Sequence, residues 1–249
     1  MERWQNRVAV VTGASSGIGA ATVKDLLKAN LIVVGLARRL ERMEELKAQL
    51  PAEQQKCFHA VACDVSSQES VDTAFDWIIK ELGGVDILVN NAGIFNAGQI
   101  STQDPVEIQK VLQTNVMGVV YCTQRAFKSM KERNFDGHVV VVNSVLGHSV
   151  LKTLGSNQPP MFSIYPSSKF AVTALTEVLR QEFKGLNTKI KITSVSPGLT
   201  DTEIVVAEFK GAEFPSLKSE DVSSCILFTL STPPHMQVHE ITVKPLLGD

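Results

Sequence analysis

The fold of this chain is decided by one stretch near its start, Val8-Ala9-Val10-Val11-Thr12-Gly13-Ala14-Ser15-Ser16-Gly17-Ile18-Gly19. Its first part is a mainly apolar run, as expected of a strand that is buried on both faces of a parallel sheet. Glycines follow, and the pattern then becomes helical through Val23, Leu26 and Leu27. A second strand is predicted at residues 31–37, which completes a βαβ unit. Glycines at the first turn of such a unit let the backbone approach a phosphate group at the helix N-terminus.

Strands and helices alternate along the rest of the chain. Ser66 is predicted as the N-cap of one helix, with Glu69 completing a capping box. Alternation over the whole length, 1–249, predicts an α/β protein with a single-domain Rossmann fold, a doubly wound seven-stranded parallel sheet with helices on both faces. The further strands are predicted at 58–63, 85–89, 139–142, 190–195 and 240–243, and the helices at about 39–50, from 66 onward, and at about 105–133, 165–184 and 219–231.

Composition and charge narrow the class of protein. The 249 residues are 44% hydrophobic and 20% charged, which is ordinary for a globular domain. A formal net charge of -2 offers no basic field for nucleic acid or anionic lipid. No apolar run reaches the length of a membrane span, and a strand pattern begins too early for a signal or transit peptide. The four cysteines lack metal-ligand spacing, so we expect reduced thiols, no metal and a cytoplasmic location.

The chemistry is predicted to lie around Tyr165 and Lys169, which are one turn apart on one face of a helix with Pro166 in its first turn. A free tyrosine has a pKa near ~10. One cation at ~4 Å in a partly desolvated cleft supplies on the order of 4 kcal/mol, enough to bring that pKa to roughly 7. Lys169 would then make Tyr165 a general acid or base. The alternative is two unrelated residues on a solvated helix.

Two arginines, Arg38 and Arg39, end the second predicted strand. Enzymes that prefer NAD tend to carry an acid at this position, against the ribose 2′-hydroxyl. Guanidinium groups suit a 2′-phosphate instead, so we predict NADP(H) in preference to NAD(H). The alternative, a solvated helix start, is more plausible for Arg39 than for Arg38.

Other strand ends carry further candidates. Asp64-Val65 would either contact an adenine ring or cap the next helix. Asn115, inside a predicted helix, would either face water or distort the helix to bind something. Ser144 would bind a ligand or cap a loop. Ligands of doubly wound sheets bind at the carboxyl ends of the strands. The predicted nucleotide ligands are therefore Gly13, Ala14, Ser15, Ser16, Gly17, Ile18, Arg38, Arg39, Asp64, Val65, Asn91, Ala92, Gly93, Pro197, Gly198, Thr200 and Thr202.

These motifs together resemble the short-chain dehydrogenase/reductase family, in the right order and over essentially the whole chain. Within that family the local sequence is similar to the NADP-dependent insect farnesol dehydrogenases and to vertebrate relatives that act on hydroxysteroids and ketosteroids. The residues that carry the resemblance are Thr12–Gly19, Asn90–Gly93, Asn115, Ser144, Tyr165-x-x-x-Lys169 and Pro197-Gly198.

The resemblance implies hydride transfer between NADP(H) and an alcohol or carbonyl compound, without a metal. Tyr165 would be the acid/base, and Lys169 would lower its pKa and bind the nicotinamide ribose. Ser144 would hydrogen-bond the substrate oxygen beside Tyr165, and Asn115 would hold a water that relays protons to Lys169. Family members commonly pair through the helices near 105–133 and 165–184, which implies a homodimer or homotetramer.

The substrate is predicted from the apolar residues around the site, which suit a bulky isoprenoid such as farnesol, or a steroid. They lie between Ser144 and Tyr165, and in residues 204–214, which would close over the site as a lid. The alternative is that these side chains only pack the lid on the body of the protein. The residues of the first segment are Val150, Leu151, Met161, Phe162 and Ile164.

Two alternatives concern the site as a whole. The segment between Ser144 and Tyr165 is longer than in most family members. If it displaced Ser144, Ser149 or Ser163 would bind the substrate oxygen instead. A protein of a different class, which senses NADP(H) without catalysis, is the alternative function.

Overall fold

The computed structural model describes residues 1–151, 161–205 and 215–246. Its strands are β1 (Val8–Thr12), β2 (Ile32–Ala37), β3 (Phe58–Ala62), β4 (Ile87–Asn90), β5 (His138–Val142), β6 (Lys191–Pro197) and β7 (Glu240–Val243). They form one sheet in the order β3-β2-β1-β4-β5-β6-β7. All neighbouring strands are parallel, so their carboxyl ends meet at one edge. The strand order reverses beside β1, which pairs with both β2 and β4, and this is where such sheets bind ligands.

Helices join the strands in sequence. The helices are α1 (Gly17–Lys28), α2 (Leu40–Ala48), α3 (Ala52–Cys57), α4 (Gln68–Leu82), α5 (Pro105–Leu112), α6 (Gly118–Glu132), α7 (Tyr165–Gly185) and α8 (Ser219–Ser231). A π-helical segment, Gln113–Met117, joins α5 directly to α6, and Val145–Gly147 forms a short 3₁₀ turn after β5. In the described ranges, no helix is both long enough and apolar enough to span a bilayer.

Alternate residues of the strands point into two separate cores, one on each face of the sheet. Val11 packs with Leu26 of α1 and Ile226 of α8 on one face. Val10 packs with Ile78 of α4 and, like its neighbours, lies in the core beneath α4, α6 and α7 on the other face. This alternation buries both faces of the sheet. The predicted Rossmann fold, with seven parallel strands and helices on both faces, is confirmed.

The predicted start of α4 was wrong by one residue. Ser67, not Ser66, is the N-cap, and its hydroxyl accepts a hydrogen bond from the Ser70 N–H at 3.2 Å. Glu69 therefore lies too close to the cap to form the predicted capping box. The reason is local, because the Ser66 hydroxyl donates instead to the Asp64 carboxylate at 2.7 Å.

Two predicted features of the substrate mouth lie largely outside the described residues. These are residues 152–160 of the segment before Tyr165, and residues 206–214 of the predicted lid. The described parts nearest the mouth are Val145–Leu151, Met161–Ile164 and the loop of 198–205 after β6.

Candidate active site

The turn between β1 and α1 has a backbone that requires glycine. Gly13 and Gly17 have φ of +66° and +54°, in the left-handed region. A Cβ on Gly19 would lie 2.3 Å from the Gly13 carbonyl oxygen. Ser16 is the N-cap of α1, but no side chain in the described part of the chain caps this helix. The N–H groups of its first turn are therefore suited to bind an anion.

Thr12 holds this turn beside the loop that follows β4. Its hydroxyl oxygen accepts hydrogen bonds from the N–H groups of Asn91 and Ala92, both at 3.0 Å. The Asn91 side chain donates back to the carbonyls of Thr12 at 2.9 Å and Gly13 at 3.3 Å. The predicted ligands from Gly13 to Ile18 and from Asn91 to Gly93 therefore lie side by side at the point where the strand order reverses.

The two arginines at the end of β2 point differently. Arg39 reaches the glycine turn, where its Nη2 donates to the hydroxyls of Ser15 at 3.1 Å and Ser16 at 3.2 Å. Arg38 is exposed and makes no hydrogen bond or ion pair with the described residues. Arg39 is therefore the arginine that contacts the glycine turn, and the expectation that Arg38 binds the 2′-phosphate stays a prediction.

Asp64 and Val65, after β3, have structural roles of their own. The Asp64 carboxylate accepts hydrogen bonds from the N–H of Ser66 at 3.0 Å and from its hydroxyl, so it closes the turn before α4. Val65 is buried, and a Cβ on Gly118 would come within 3.0 Å of its side chain. The alternative that this pair caps the next helix is wrong, because Ser67 is the N-cap of α4. Contact with an adenine ring stays a prediction.

The loop after β6 approaches the glycine turn from the other side. The Gly198 N–H donates to the Val243 carbonyl at 2.7 Å, and the Thr200 hydroxyl donates to the Gly198 carbonyl at 3.0 Å. A Cβ on Gly17 would lie 3.1 Å from the Thr202 methyl carbon. The predicted ligands from Pro197 to Thr202 thus face those of the first turn across the crevice.

Tyr165 and Lys169 come together at the start of α7, as predicted. Tyr165 is half-buried and opens the helix, and Lys169 is buried one turn later. The Lys169 Nζ lies 5.7 Å from the centroid of the Tyr165 ring and donates a hydrogen bond to the Val142 carbonyl at 3.0 Å. The pair faces the interior of the crevice, so the alternative of two unrelated residues on a solvated helix is excluded.

Ser144 lies beside this pair. Its side chain is near enough to the Tyr165 hydroxyl to lower the pKa of the phenol. It also accepts a hydrogen bond from the Leu146 N–H at 3.1 Å, so the capping alternative is observed and ligand binding stays a prediction. The long segment before Tyr165 does not displace it. Ser163 instead hydrogen-bonds Gln103, and Ser149 is exposed.

The pKa values of the pair differ from the expectation. Burial raises the pKa of Tyr165 to about 12, and the nearby Ser144 side chain lowers it only in part. Burial lowers the pKa of Lys169 to about 8. The prediction that Lys169 brings the phenol near neutrality is therefore wrong for the groups of the chain by themselves, because burial disfavours the charged form of the phenol. At pH 7 the phenol is protonated and most of the ammonium is charged.

Asn115 lies in the π-helical segment and is buried. Its amide oxygen accepts from the Ile94 N–H at 2.9 Å, and its amide nitrogen donates to the Ile94 carbonyl at 3.0 Å and the Ser168 hydroxyl at 3.1 Å. Of the two alternatives, a helix distorted to bind something is the one observed. Asn115 thereby joins the loop after β4 to the helix that carries Lys169. Its part in a proton relay stays a prediction.

Phe95 is a site residue that the sequence patterns did not identify. Its ring meets the edge of the Tyr165 ring, with centroids 5.5 Å apart and an interplanar angle of 83°. It also packs against the predicted substrate residue Phe162 at 6.1 Å. The only feature of the sequence that could have identified Phe95 is its position two residues after Gly93, at a strand end. Of the other predicted substrate residues, Val150 and Leu151 are exposed, and Met161 and Ile164 are half-buried.

Comparison with known proteins gives matches over nearly the full length. The family described as short chain dehydrogenase matches residues 7–213. The chain is 51% identical over 247 residues to a farnesol dehydrogenase of Aedes aegypti, covering 99% of this chain and 98% of that protein. It is 38% identical over 258 residues to dehydrogenase/reductase SDR family member 11 of Mus musculus, covering 98% and 96%. The closed form of a serine dehydrogenase complexed with NADP+ has a TM-score of 0.81 and 26% identity, covering 95% of this chain and 94% of that one.

Proposed function

This chain belongs to the short-chain dehydrogenase family, and from that premise we propose that it transfers a hydride between NADP(H) and an alcohol or carbonyl group on a bulky apolar molecule. The observation that carries the proposal is the buried ammonium of Lys169, 5.7 Å from the centroid of the Tyr165 ring, with the Ser144 hydroxyl near enough to the phenol to lower its pKa. A protein that only sensed the nucleotide would have no use for a phenol and a hydroxyl aimed at one point.

The residues at the crevice fit a nicotinamide dinucleotide. The uncapped first turn of α1 and the guanidinium of Arg39 suit its phosphates. Lys169 donates one hydrogen bond to Val142 among the described residues, which leaves further N–H donors for the ribose hydroxyls. The preference for NADP(H) rests on Arg38 and Arg39, at a strand end where a binder of NAD(H) tends to carry an acid.

Proton transfer follows from the pKa values of the chain's own groups. When bound, the nicotinamide ring supplies or accepts the hydride. In reduction, Tyr165 donates its proton to the carbonyl oxygen while the Ser144 hydroxyl holds the same oxygen. Because burial raises the pKa of Tyr165 to about 12, the phenol is ready to donate at neutral pH. Oxidation of an alcohol needs the phenolate, so its rate rises with pH. A water held by Asn115 would relay protons to Lys169.

The apolar surface beside Tyr165 supports an isoprenoid or steroid substrate. The ring of Phe95 packs against Tyr165 and Phe162. Val150 and Leu151, after β5, and Ile204, after β6, are exposed apolar side chains. Such a surface gains free energy by binding a hydrocarbon chain or ring system, and it offers few partners for a sugar. The relative named farnesol dehydrogenase supports an isoprenoid alcohol as the first candidate.

Assembly and location are part of the same proposal. We infer a homodimer or homotetramer formed through α6 and α7, because α7 exposes apolar side chains on its outer face. We infer a reducing, cytoplasmic compartment, because the cysteines are free thiols and two of them are buried. We further infer that residues 1–249 form one nucleotide-binding domain.

Two measurements test the proposed function. Fluorescence titration with NADPH and with NADH should give tighter binding of NADPH, by on the order of tenfold or more, as expected from a charge-assisted phosphate contact. A screen of alcohols and carbonyls by NADPH absorbance should then find turnover of farnesol or a ketosteroid. Binding without any turnover would favour a sensing protein. Activity on small polar compounds alone would remove the apolar substrate from the proposal.

A further inference from the structure

Two arginines beside the glycine turn share one carboxylate. The Nη1 of Arg39 lies 3.0 Å from one oxygen of Glu203, and the Nη1 of Arg42 lies 2.5 Å from the other. Arg39 and Arg42 stand at the start of α2, whereas Glu203 directly follows Thr202 in the loop after β6. One acidic side chain therefore connects the two halves of the crevice.

This carboxylate lies close to the phosphate-binding groups of the turn. The Nη2 of Arg39 donates hydrogen bonds to the hydroxyls of Ser15 and Ser16. An open cavity of about 400 Å³ adjoins them, with Ser15 and Arg42 in its lining. Both guanidinium groups contact Glu203, and Arg39 also contacts the two hydroxyls. Together these groups form a donor set for a phosphate monoester, and Glu203 is the anion that the chain itself places at the two arginines.

We propose that Glu203 competes with the 2′-phosphate of NADP(H) for Arg39 and Arg42, and that Arg42 is a second cationic ligand of that phosphate. The inference rests on the proposed preference for NADP(H), and it adds two residues that the sequence patterns did not identify. NADH has no 2′-phosphate, so it does not compete with Glu203 for the two arginines. The competition therefore lowers the affinity for NADPH and leaves that for NADH unchanged.

The ion pairs of Glu203 with Arg39 and Arg42 are weak enough for a phosphate to displace the carboxylate. All three side chains are about half exposed, at 42%, 40% and 54%, so water and salt screen the two ion pairs. Exposed ion pairs of this kind contribute little to stability. Hydrogen bonds from Arg39 and Arg42 lower the pKa of Glu203, so it is ionised at neutral pH. A phosphate monoester carries a charge of about -1.5 to -2 at that pH and outcompetes a single carboxylate charge.

The first test compares Glu203→Gln with the wild-type protein by NADPH and NADH titration. Removal of the internal competitor should tighten NADPH binding by ~5-fold, which corresponds to about 1 kcal/mol, and leave NADH binding unchanged. Glu44→Gln is the matched control, because Glu44 is an exposed acid on the same helix, α2, and its replacement changes the net charge equally. Calorimetry with 2′,5′-ADP and with ADP reads the same contact without the nicotinamide, and only 2′,5′-ADP should respond to Glu203→Gln.

A double-mutant cycle tests Arg42. Arg42→Gln should weaken NADPH binding, and in that background Glu203→Gln should give a smaller gain, because one of the two competing contacts is gone. An unchanged or weakened NADPH affinity in Glu203→Gln, or an equal gain in Glu44→Gln, overturns the inference while a wild-type preference for NADPH leaves the cofactor proposal standing. A wild-type protein that binds NADH as tightly as NADPH overturns both.

Discussion

At the scale of single residues, the proposed reaction depends on one proton at the Tyr165 hydroxyl. The phenol lies near the Ser144 hydroxyl and is packed against the edge of the Phe95 ring, so its oxygen has one direction in which to meet a substrate. Burial of Lys169 keeps the ammonium close, but it also lowers the pKa of that group to about 8. The environment thus favours the acid form of the tyrosine at neutral pH, which suits carbonyl reduction.

Replacement of Tyr165 by Phe removes that proton and little else. We expect kcat to fall by on the order of 10²–10⁴, the usual contribution of general acid–base catalysis, while the NADPH dissociation constant changes by less than about threefold. Steady-state kinetics and fluorescence titration measure the two quantities separately. Tyr121→Phe is the matched control, since this second tyrosine hydrogen-bonds Gln113 on another helix. A Tyr165→Phe protein that keeps its turnover would exclude the proposed acid.

His138 makes folding stability depend on pH. It is fully buried in β5, where its Nε2 hydrogen-bonds Thr193 at 2.9 Å, and its Nδ1 has no partner among the described residues. Burial first, and then the charges of Lys191 and Arg3, lower its pKa to about 3. An unfolded histidine has a pKa near ~6.5, so between these two values the unfolded state binds more protons. The contribution to stability is complete above pH 6.5 and is lost as the pH falls towards 3.

The free energy of unfolding should therefore fall by about 2 kcal/mol from this group between pH 7 and pH 5. In His138→Leu this part of the loss should disappear, and the Thr193 hydroxyl keeps its hydrogen bond to the Val238 carbonyl. Urea unfolding at the two pH values measures the difference. His235→Gln, at an exposed histidine, should behave like the wild-type protein. Equal pH dependence in the wild type and His138→Leu would contradict the assignment.

Residue type and spacing predicted Tyr165 and Lys169, because a phenol and an amine one helical turn apart must share a face. Ser144 was predicted from its position at the end of a strand. These features did not predict which of two adjacent arginines turns inward. That choice depends on the hydroxyls of the glycine turn and on Glu203, which is distant in sequence. Contacts of this kind leave no local pattern, and Phe95 was missed for the same reason.

At the scale of elements, the π-helical segment shows which features of a helix can be predicted from its sequence. The helix predicted over 105–133 runs through the observed range, and the poor helix former Asn115 marked the position where it widens. The sequence did not show why it widens. The Asn115 amide hydrogen-bonds the Ile94 backbone through both its oxygen and its nitrogen, and the nitrogen also donates to the Ser168 hydroxyl. These partners come from two other elements. Helix and strand types were therefore predictable, but the contacts between them were not.

The Thr12 contact between β1 and the loop after β4 gives a prediction for these elements. Thr12→Val keeps the shape of the side chain but leaves the partly buried N–H groups of Asn91 and Ala92 without their acceptor. Each such group costs about 1–3 kcal/mol, so stability should fall by at least ~2 kcal/mol and NADPH binding should weaken. Thr12→Ser retains the hydroxyl and should restore most of both. Denaturant unfolding and NADPH titration provide the measurements, and a Thr12→Val protein as stable as Thr12→Ser would show that the contact is not important.

At the scale of the whole molecule, the order of the strands brings the site together. Because β1 lies between β2 and β4, the loops after β1 and β4 open on the same crevice, and the loops after β5 and β6 follow beside them. The alternation of strands and helices predicted a parallel sheet. The strand order was not predicted, since periodicity contains no information about which strands are neighbours.

The outer face of α7 carries an apolar stripe that supports the proposed dimer. Phe170, Ala174 and Val178 recur every fourth residue and are all exposed, with Phe170 at 42% and Val178 at 51%. Such a stripe on one helix face is typical of a contact between protein surfaces. We expect light scattering at micromolar concentration to give at least twice the chain mass of 27.1 kDa.

Val178→Glu should convert that assembly to monomers, because it would bury an unpaired carboxylate at the centre of the contact. Ile79→Glu is the matched control, since Ile79 is an exposed isoleucine on α4, at 38%, and it should leave the mass unchanged. The folded state of both variants can be checked by NADPH titration, because neither residue touches the crevice residues described above. A wild-type mass of one chain, or equal dissociation by the two variants, would show that α7 does not form the interface. In the expected case, the helix that carries Tyr165 and Lys169 on its inner face is held in position from its outer face by a second copy of itself.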